Sequence, residues 1–297
     1  MRRNVIRTGY FILLLALLAP VSAQEADRRK GGFQLNEGDT VMFAGGANMV
    51  RLNRTGYLET MLTHAFAQAR PKFRDLSWEA DTVFAQGTVL ERWRPVGFGQ
   101  RDEQFKRIGA TVVIAQFGQL ESMAGPEKLD DFVKAYHHLI DGYLKQAREV
   151  VLISPVPFET PKNALIPDLT QHNVSLAVYV KAMADIAADR KLKFVDLFTE
   201  GRGGLTENGM HVLPEAQTRV AREVARQLRV KAPAEGELEA LRVAVIEKHR
   251  LWYDYWRPAN WKLLYGDDSR REFTRGGRDY MPFREEWQKL IPLIETA

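Results

Sequence analysis

Short apolar runs alternate with amphipathic segments over most of the chain. The run TVVIAQF is continuous and rich in β-branched residues, as is typical of a strand that is covered on both faces. Flanking turn residues and polar segments delimit four further runs of the same kind. The pattern therefore predicts five strands, at residues 41–44, 72–77, 111–117, 149–155 and 193–198.

Apolar residues at helical spacing separate these strands. The longest such stripe comprises Leu129, Phe132, Val133, Tyr136, Leu139, Ile140 and Tyr143. Helices are predicted at residues 57–69, 128–147, 173–190 and 214–228. Because strands that alternate with helices need crossover connections, we expect a parallel sheet between two helix layers, a three-layer α/β/α domain.

The carboxyl-terminal part has a different pattern. The segment KAPAEGE at 231–237 breaks the chain, and the apolar positions that follow have the spacing of one helix face. We expect the main domain to cover 36–231 and a helical, aromatic-rich extension to cover 232–297, packed on the domain because it is too small for a core of its own.

The amino-terminal residues resemble an export signal. Arg2, Arg3 and Arg7 precede an apolar run, and small residues end at Ala23. We expect a signal peptide at 1–23 with cleavage near Ala23, a flexible lead-in at 24–35 and a periplasmic or secreted protein. The run is too short for a stable membrane span, although an uncleaved anchor stays an alternative.

Composition narrows the function classes. The chain of 297 residues is 45% hydrophobic and 27% charged, which is typical of a globular protein. Removing the signal lowers the basic count from 42 to 39, against 38 acidic residues, so nucleic acid is not an expected partner. The absence of cysteine excludes disulfides and thiolate metal sites.

Four loops should carry the chemistry, because ligands of parallel α/β sheets bind at the carboxyl ends of the strands. They are GGAN at 45–48, SWEADT at 77–82, FGQLES at 117–122 and LTENGMH at 205–211. Two glycines without a following Walker-type lysine do not indicate a nucleotide, and the adjacent His137 and His138 do not share one helix face for a metal. We expect no cofactor and no metal.

In their order and spacing these four blocks resemble those of the SGNH or GDSL hydrolases. The segment YWRPANW at 255–261 resembles the Trp-Arg-Pro extension of a secreted bacterial branch of that family. The resemblance covers roughly residues 36–230 and implies a flavodoxin-like domain that hydrolyses esters without a cofactor. It also implies a serine nucleophile, an Asp–His pair and an oxyanion hole made by a backbone N–H, a glycine and an asparagine.

This chain departs from that pattern at most functional positions. The aspartate and serine of the first block match Gly46 and Ala47. The glycine of the second block matches Ser77, the asparagine of the third matches Leu120, and the aspartate of the last matches Asn208; His211 is retained. Since loss of a triad nucleophile alone costs about 10⁶ in turnover, the usual serine mechanism should not operate.

Three hypotheses follow. The first is an exported, catalytically degenerate relative whose cleft binds an acylated or glycan ligand or a partner, through Gly46, Ala47, Asn48, Gly118, Leu120 and Asn208. The second is an active esterase with a rewired site, in which His211 acts with Ser77, Ser122 or a water activated by His211 or Glu121. The third is a structural envelope protein with a filled cleft.

The candidate polar residues also have ordinary structural explanations. Ser77 follows a strand, where serine is common in turns, and Glu121 and Ser122 can cap a short helix. The sequence therefore leaves open whether the protein is an enzyme.

Overall fold

The computed structural model describes residues 32–84, 101–200, 203–234, 236–256 and 288–296. Contacts separate Met1–Gly32 from one compact unit, Phe33–Ala297, and the description below concerns the second. The expected signal peptide, the lead-in up to residue 31 and the Trp-Arg-Pro segment from residue 257 onward lie outside the described residues.

Five parallel strands form the sheet, in the order β2-β1-β3-β4-β5. This order is that of the flavodoxin-like doubly wound fold, so the predicted fold class is confirmed. The central strands are fully buried on both faces, which explains their continuous apolar sequences. The strands are β1 Thr40–Gly45, β2 Lys72–Asp75, β3 Val112–Gln116, β4 Glu149–Ile153 and β5 Lys193–Val195.

Helices follow the strands, as the alternating pattern predicts. In chain order they are α1 Ala47–Thr55, α2 Tyr57–Ala65, α3 Arg101–Ile108, α4 Gln119–Ser122, α5 Leu129–Leu144, α6 Asn173–Asp189, α7 Leu197–Glu200, α8 Gln217–Gln227, α9 Glu239–Trp256 and α10 Leu290–Thr296. Short 3₁₀ turns occupy Ala67–Ala69, Pro126–Lys128, Thr170–His172 and Pro214–Ala216.

The helices cover the sheet in two layers. Helices α1, α2 and α8 pack on one face, through residues such as Leu52, Leu62 and Val224. Helices α3, α5 and α6 pack on the other, where Tyr136 and Tyr179 are fully buried. Alternate residues of each strand point to opposite cores, so both faces of the sheet are covered and its loops emerge at the edges.

Several predicted boundaries differ from the structure. The helix expected over 57–69 ends at Ala65 and continues only as a 3₁₀ turn. The strand expected over 193–198 ends at Val195, because Leu197 begins a short helix. Helix α3 was not predicted, since its charged sequence, RDEQFKRI, lacks a clear apolar stripe.

The predicted carboxyl-terminal helix is present as α9 and contacts α1 and α2. Lys248 forms a short ion pair with the buried carboxylate of Glu59 in α2, and His249 Nε2 lies 2.7 Å from the same carboxylate. Trp252, Tyr255 and Ile294 form a small further core between α9 and α10. In the described part of the chain, no helix has the length and apolar character needed to cross a membrane.

Candidate functional site

An open cleft of about 410 Å³ lies at the carboxyl edge of the sheet, within the size range of small-molecule sites. The β1–α1 corner, the loops that follow β2 and β3, and the last loop before α8 surround it. Its apolar lining comprises Ala47, Val50, Ala80, Phe117, Leu120, Pro155 and Met210.

The first wall is the corner between β1 and α1. Gly45 has φ +149°, and a Cβ on it would lie 2.4 Å from the carbonyl oxygen of Gln116 in the neighbouring strand, so glycine is required here. Gly46 caps α1, and Ala47 is the first residue of that helix. Both line the cleft, so a methyl group stands where the resemblance implies a nucleophilic oxygen.

Asn48 connects the corner to two other walls. Its Nδ2 donates to Gln119 Oε1 (3.1 Å) and to the carbonyl oxygen of Met210 (3.0 Å), and its Oδ1 accepts from the N–H of Val212 (2.9 Å). This predicted ligand-binding residue is buried and lines the cleft, but its amide mainly holds the walls together.

The second wall is the loop that follows β2, where the position of Ser77 differs from the expectation. Ser77 is fully buried, and its hydroxyl donates a short hydrogen bond to Asp75. Ala80 lines the cleft instead, with φ +60°, a conformation that favours glycine. Ala80, rather than Ser77, is therefore a residue of this loop that the cleft exposes to a ligand.

The third wall begins at Gly118 and contains Leu120, which lines the cleft where the resemblance implies an amide donor. The Glu121 carboxylate accepts the N–H of Gly118 and the N–H of Val83, each at 2.9 Å, so it joins the second and third walls. Burial raises the pKa of Glu121, and these two hydrogen bonds oppose that effect. Its oxygens are engaged in holding loops rather than in activating a water.

The hydroxyl of Ser122 is also hydrogen-bonded within its own loop. Ser122 is fully buried, its hydroxyl donates to the carbonyl oxygen of Gln119 at 2.8 Å, and its own carbonyl accepts from Ser175 at 2.7 Å. Among the described residues that line the cleft, neither Ser77 nor Ser122 appears. The structure therefore does not bring either serine together with His211. This geometry does not support a rewired esterase site in which Ser77 or Ser122 is the nucleophile.

The last loop presents His211. Glu159 pins this loop, because its carboxylate accepts the N–H groups of Leu205 and Thr206 and the Thr206 hydroxyl. Gly209 has φ +83°, and a Cβ there would lie 2.3 Å from the carbonyl oxygen of Glu159. His211 lines the cleft, whereas Asn208 lies behind it.

Asn208 and His211 form a fixed pair. The Asn208 Oδ1 accepts the N–H of Met210 (3.2 Å) and the N–H of His211 (2.8 Å). The Asn208 Nδ2 lies 3.1 Å from the His211 Nδ1. Burial and the positive charge of Arg51 lower the pKa of His211, against a smaller opposite effect of Glu207, and this favours the neutral form of the ring.

Two arginines of α1 complete the mouth of the cleft. Arg51 pairs with Glu207 at 2.7 Å, and Arg54 donates to Glu79 and to the Tyr253 hydroxyl of α9, each at 3.0 Å. Neither arginine was predicted as a site residue, although Arg51 lies four residues after Ala47 and so shares its helix face. Helix α9 thus supports a wall of the cleft.

The structure brings together seven of the predicted site residues in this lining: Gly46, Ala47, Asn48, Gly118, Leu120, Glu121 and His211. Within the described ranges, no three histidine, aspartate or glutamate side chains cluster in a way that could hold a metal ion.

Comparisons with known proteins concern the fold. No family model matches the chain, and a comparison with curated proteins finds no similar sequence. An acetylxylan esterase from Geobacillus stearothermophilus is similar in structure, with a TM-score of 0.50 and 13% identity over 68% of this chain and 100% of the esterase. A gut microbial diltiazem-metabolizing enzyme gives a TM-score of 0.51 at 13% identity, over 66% of this chain and 48% of the enzyme. The chain thus has an α/β fold that ester hydrolases also use.

Proposed function

We propose that this chain is a degenerate relative of the SGNH hydrolases that binds an acylated or glycan ligand in its cleft without hydrolysing it by the serine mechanism. One observation carries the proposal: the cleft is open, but Ala47 and Leu120 line it where nucleophile and amide donor would stand. Without an oxygen at position 47, no acyl group can be transferred to the corner.

The rewired alternatives have less support. The hydroxyls of Ser77 and Ser122 are buried and bonded within their own loops, and the Glu121 carboxylate holds two backbone N–H groups. A structural envelope protein would have a filled cleft, whereas a volume of about 410 Å³ is open in this structure.

The ligand class follows from the lining and from the comparison. Apolar side chains beside His211 suit a short acyl group, and the polar and charged side chains of the same lining, such as Arg51 and Gln119, suit a polar carrier. The structurally similar esterase is an acetylxylan esterase, which supports an acetylated carbohydrate as the first ligand to test. Export after cleavage near Ala23, which would place the protein among such polymers, is part of this proposal.

The test measures binding and turnover with the same protein. We expect the mature chain to bind acetylated xylo-oligosaccharides in calorimetry and to release acetate no faster than buffer does. Leu120→Trp should abolish binding by filling the cleft. Leu165→Trp, the same substitution at a side chain that is 91% exposed, should leave binding unchanged.

Acetate release at ordinary enzyme rates, abolished by His211→Ala, would refute the proposal. Equal binding by Leu120→Trp and the unmodified chain would place the ligand outside this cleft.

A further inference from the structure

We infer that His211 is held in the tautomer that carries its proton on Nε2, so that the cleft offers a hydrogen-bond donor and recognises a ligand with an acyl carbonyl oxygen. This inference deepens the proposed function and, for its ligand, rests on it. It assigns His211 a role opposite to that of a general base.

The orientation of the Asn208 amide starts the argument. Ordinarily the oxygen and nitrogen of an asparagine amide can be exchanged by a flip of the side chain. Here one end faces two backbone N–H groups, those of Met210 and His211, at 3.2 and 2.8 Å. A backbone N–H can only donate, so this end must be the oxygen.

The other end of the amide is then an NH₂ group, which can only donate. It lies 3.1 Å from the Nδ1 of His211, so Nδ1 must present its lone pair. A neutral imidazole carries one N–H, and with Nδ1 unprotonated that N–H lies on Nε2. An imidazolium would set an N–H against an N–H at this contact.

An aspartate at position 208 would produce the opposite result. Its carboxylate would accept a hydrogen bond from Nδ1–H and leave the lone pair on Nε2, which is the arrangement of a catalytic base. Replacing the carboxylate by an amide of the same shape therefore does more than remove a charge. It exchanges the donor and acceptor ends of the imidazole ring.

The Nε2 edge is the one left for a ligand. Nδ1 is taken up by Asn208, which lies behind the ring, and His211 itself lines the cleft. No other described residue forms a hydrogen bond with Nε2. A donor at Nε2, in a cleft that Ala47, Leu120 and Met210 also line, suits a neutral carbonyl oxygen, and it cannot pair with an ammonium group, which also only donates.

The direct test is long-range ¹H–¹⁵N NMR of the mature, ¹⁵N-labelled protein, which distinguishes the two nitrogens of each imidazole. We expect His211 to show the Nε2–H tautomer at pH 7. Asn208→Asp should change it to the Nδ1–H tautomer, and it should raise the pKa of the ring. An Nδ1–H tautomer or an imidazolium in the unmodified protein at pH 7 would overturn the inference.

The ligand part is tested with N-butylacetamide, which carries an acyl carbonyl, against butylammonium, which can only donate. We expect the amide to bind and the ammonium not to. His211→Phe should weaken amide binding about tenfold, the value of one lost hydrogen bond, whereas His211→Gln, which keeps an NH₂ near the Nε2 position, should restore it.

The outcomes separate the two proposals. Ester hydrolysis by a protein that shows the Nε2–H tautomer refutes the proposed function and leaves the tautomer standing. An inert protein with the Nδ1–H tautomer refutes the inference alone. Equal amide binding by His211→Phe and the unmodified chain overturns the carbonyl contact.

Discussion

Two kinds of residue in the loops around the cleft have different roles. Gly45 and Gly209 meet backbone demands, because a Cβ on either would lie under 2.5 Å from a carbonyl oxygen of a neighbouring segment. Ala47, Leu120 and Asn208 stand where the resemblance implies reacting groups, and none of them offers a nucleophilic oxygen or a carboxylate. At the scale of single residues, the backbone demands of the cleft walls are therefore clearer than the chemistry of the cleft.

The pairing of Asn208 with His211 predicts that a nucleophile alone will not restore activity. Ala47→Ser should leave p-nitrophenyl acetate hydrolysis at the background rate, because an Nε2 that carries a proton cannot accept one from serine. The double variant Ala47→Ser, Asn208→Asp supplies the missing lone pair. We expect it to form an acetyl-enzyme about ten to a hundred times faster than the single variant.

This range lies below the roughly 10⁴ attributed to the triad aspartate, because Leu120 still provides no oxyanion donor. Mass spectrometry of the intact protein measures the acetyl group. Asn208→Asp alone, with alanine at position 47, is the control and should stay unlabelled. Equal labelling of the single and double variants would contradict the assigned tautomer.

Sequence reasoning could find the replaced positions but not the contacts around them. Ala47, Leu120 and His211 follow from the spacing of the blocks. The contact of Glu159 with Thr206 joins residues that are 47 positions apart, and no local sequence pattern predicts such a contact. Ala80 was missed because its importance is a positive φ, which the sequence marks only when the residue is glycine.

At the scale of elements, the strands and long helices were predictable because each buries a regular apolar pattern. The errors occur where a side chain decides a boundary. Strand β5 ends at Val195 since Asp196 Oδ1 accepts the N–H of Thr199, at 2.9 Å, and Ser154 Oγ accepts the N–H groups of Leu197 and Phe198. These bonds begin helix α7 where an apolar run predicted more strand.

The contact between α2 and α9 predicts a large effect of one carboxylate. Glu59 is 3% exposed. Burial by itself would raise its pKa, but Lys248 and His249 outweigh this and lower it. Glu59→Gln would leave the Lys248 ammonium, which is largely withdrawn from water, without its counter-charge. We expect the free energy of unfolding to fall by about 3 kcal/mol in urea titrations.

A matched control lies on the exposed face of α9, the helix that carries Lys248. Glu247 pairs with Arg250 at 2.6 Å, and both side chains are more than half exposed. Glu247→Gln should therefore change the free energy of unfolding by less than about 0.5 kcal/mol. A similar small change for Glu59→Gln would show that α9 is held by its apolar contacts alone.

At the scale of the whole molecule, the described extension helix belongs to the same compact unit as the sheet. Arg54 of α1 donates hydrogen bonds both to Glu79, beside the cleft, and to Tyr253 of α9. Helix α9 therefore supports a wall of the cleft rather than filling the cleft. The sequence predicted the extension but could not decide between these roles, because its charged and aromatic side chains suit either.

Acid stability is the property that these scattered contacts determine together. Asp39, Glu59 and Glu159 each have a pKa below the usual value, because ion pairs and hydrogen bonds outweigh their burial. A carboxyl with a lowered pKa in the folded state stabilises that state above its unfolded pKa. This stabilisation is lost as the pH falls through the folded value. Glu121, whose pKa is raised, contributes in the opposite direction.

Among the described carboxyl groups that are at least partly buried, Asp39, Glu59 and Glu159 with a lowered pKa outnumber Glu121 with a raised pKa, and the exposed Asp141, Asp168, Glu239 and Glu247 also have a lowered pKa, which decides the sign. We expect the free energy of unfolding to change little from pH 7 to 5 and to fall steeply below roughly pH 4, measured by urea titration at each pH. Asp39 is 5% exposed, bonded to Arg148 and accepts the Thr111 hydroxyl at 2.7 Å. Asp39→Asn should therefore be less stable at pH 7, with a shallower acid limb that approaches that of the unmodified chain near pH 3.

Asp185→Asn is the comparison, since Asp185 forms an exposed pair with Lys181 at 2.6 Å. The plot of its free energy of unfolding against pH should run parallel to that of the unmodified chain, because an exposed pair within one helix contributes only a few tenths of a kcal/mol. Parallel curves for Asp39→Asn as well would mean that the acid limb arises from the net charge of the molecule. If only the free energy of unfolding of Asp39→Asn approaches that of the unmodified chain near pH 3, the acid limb arises at the Asp39–Arg148 contact. This contact lies at the amino-terminal edge of the sheet, remote from the cleft, so acid unfolding and ligand binding could be varied separately.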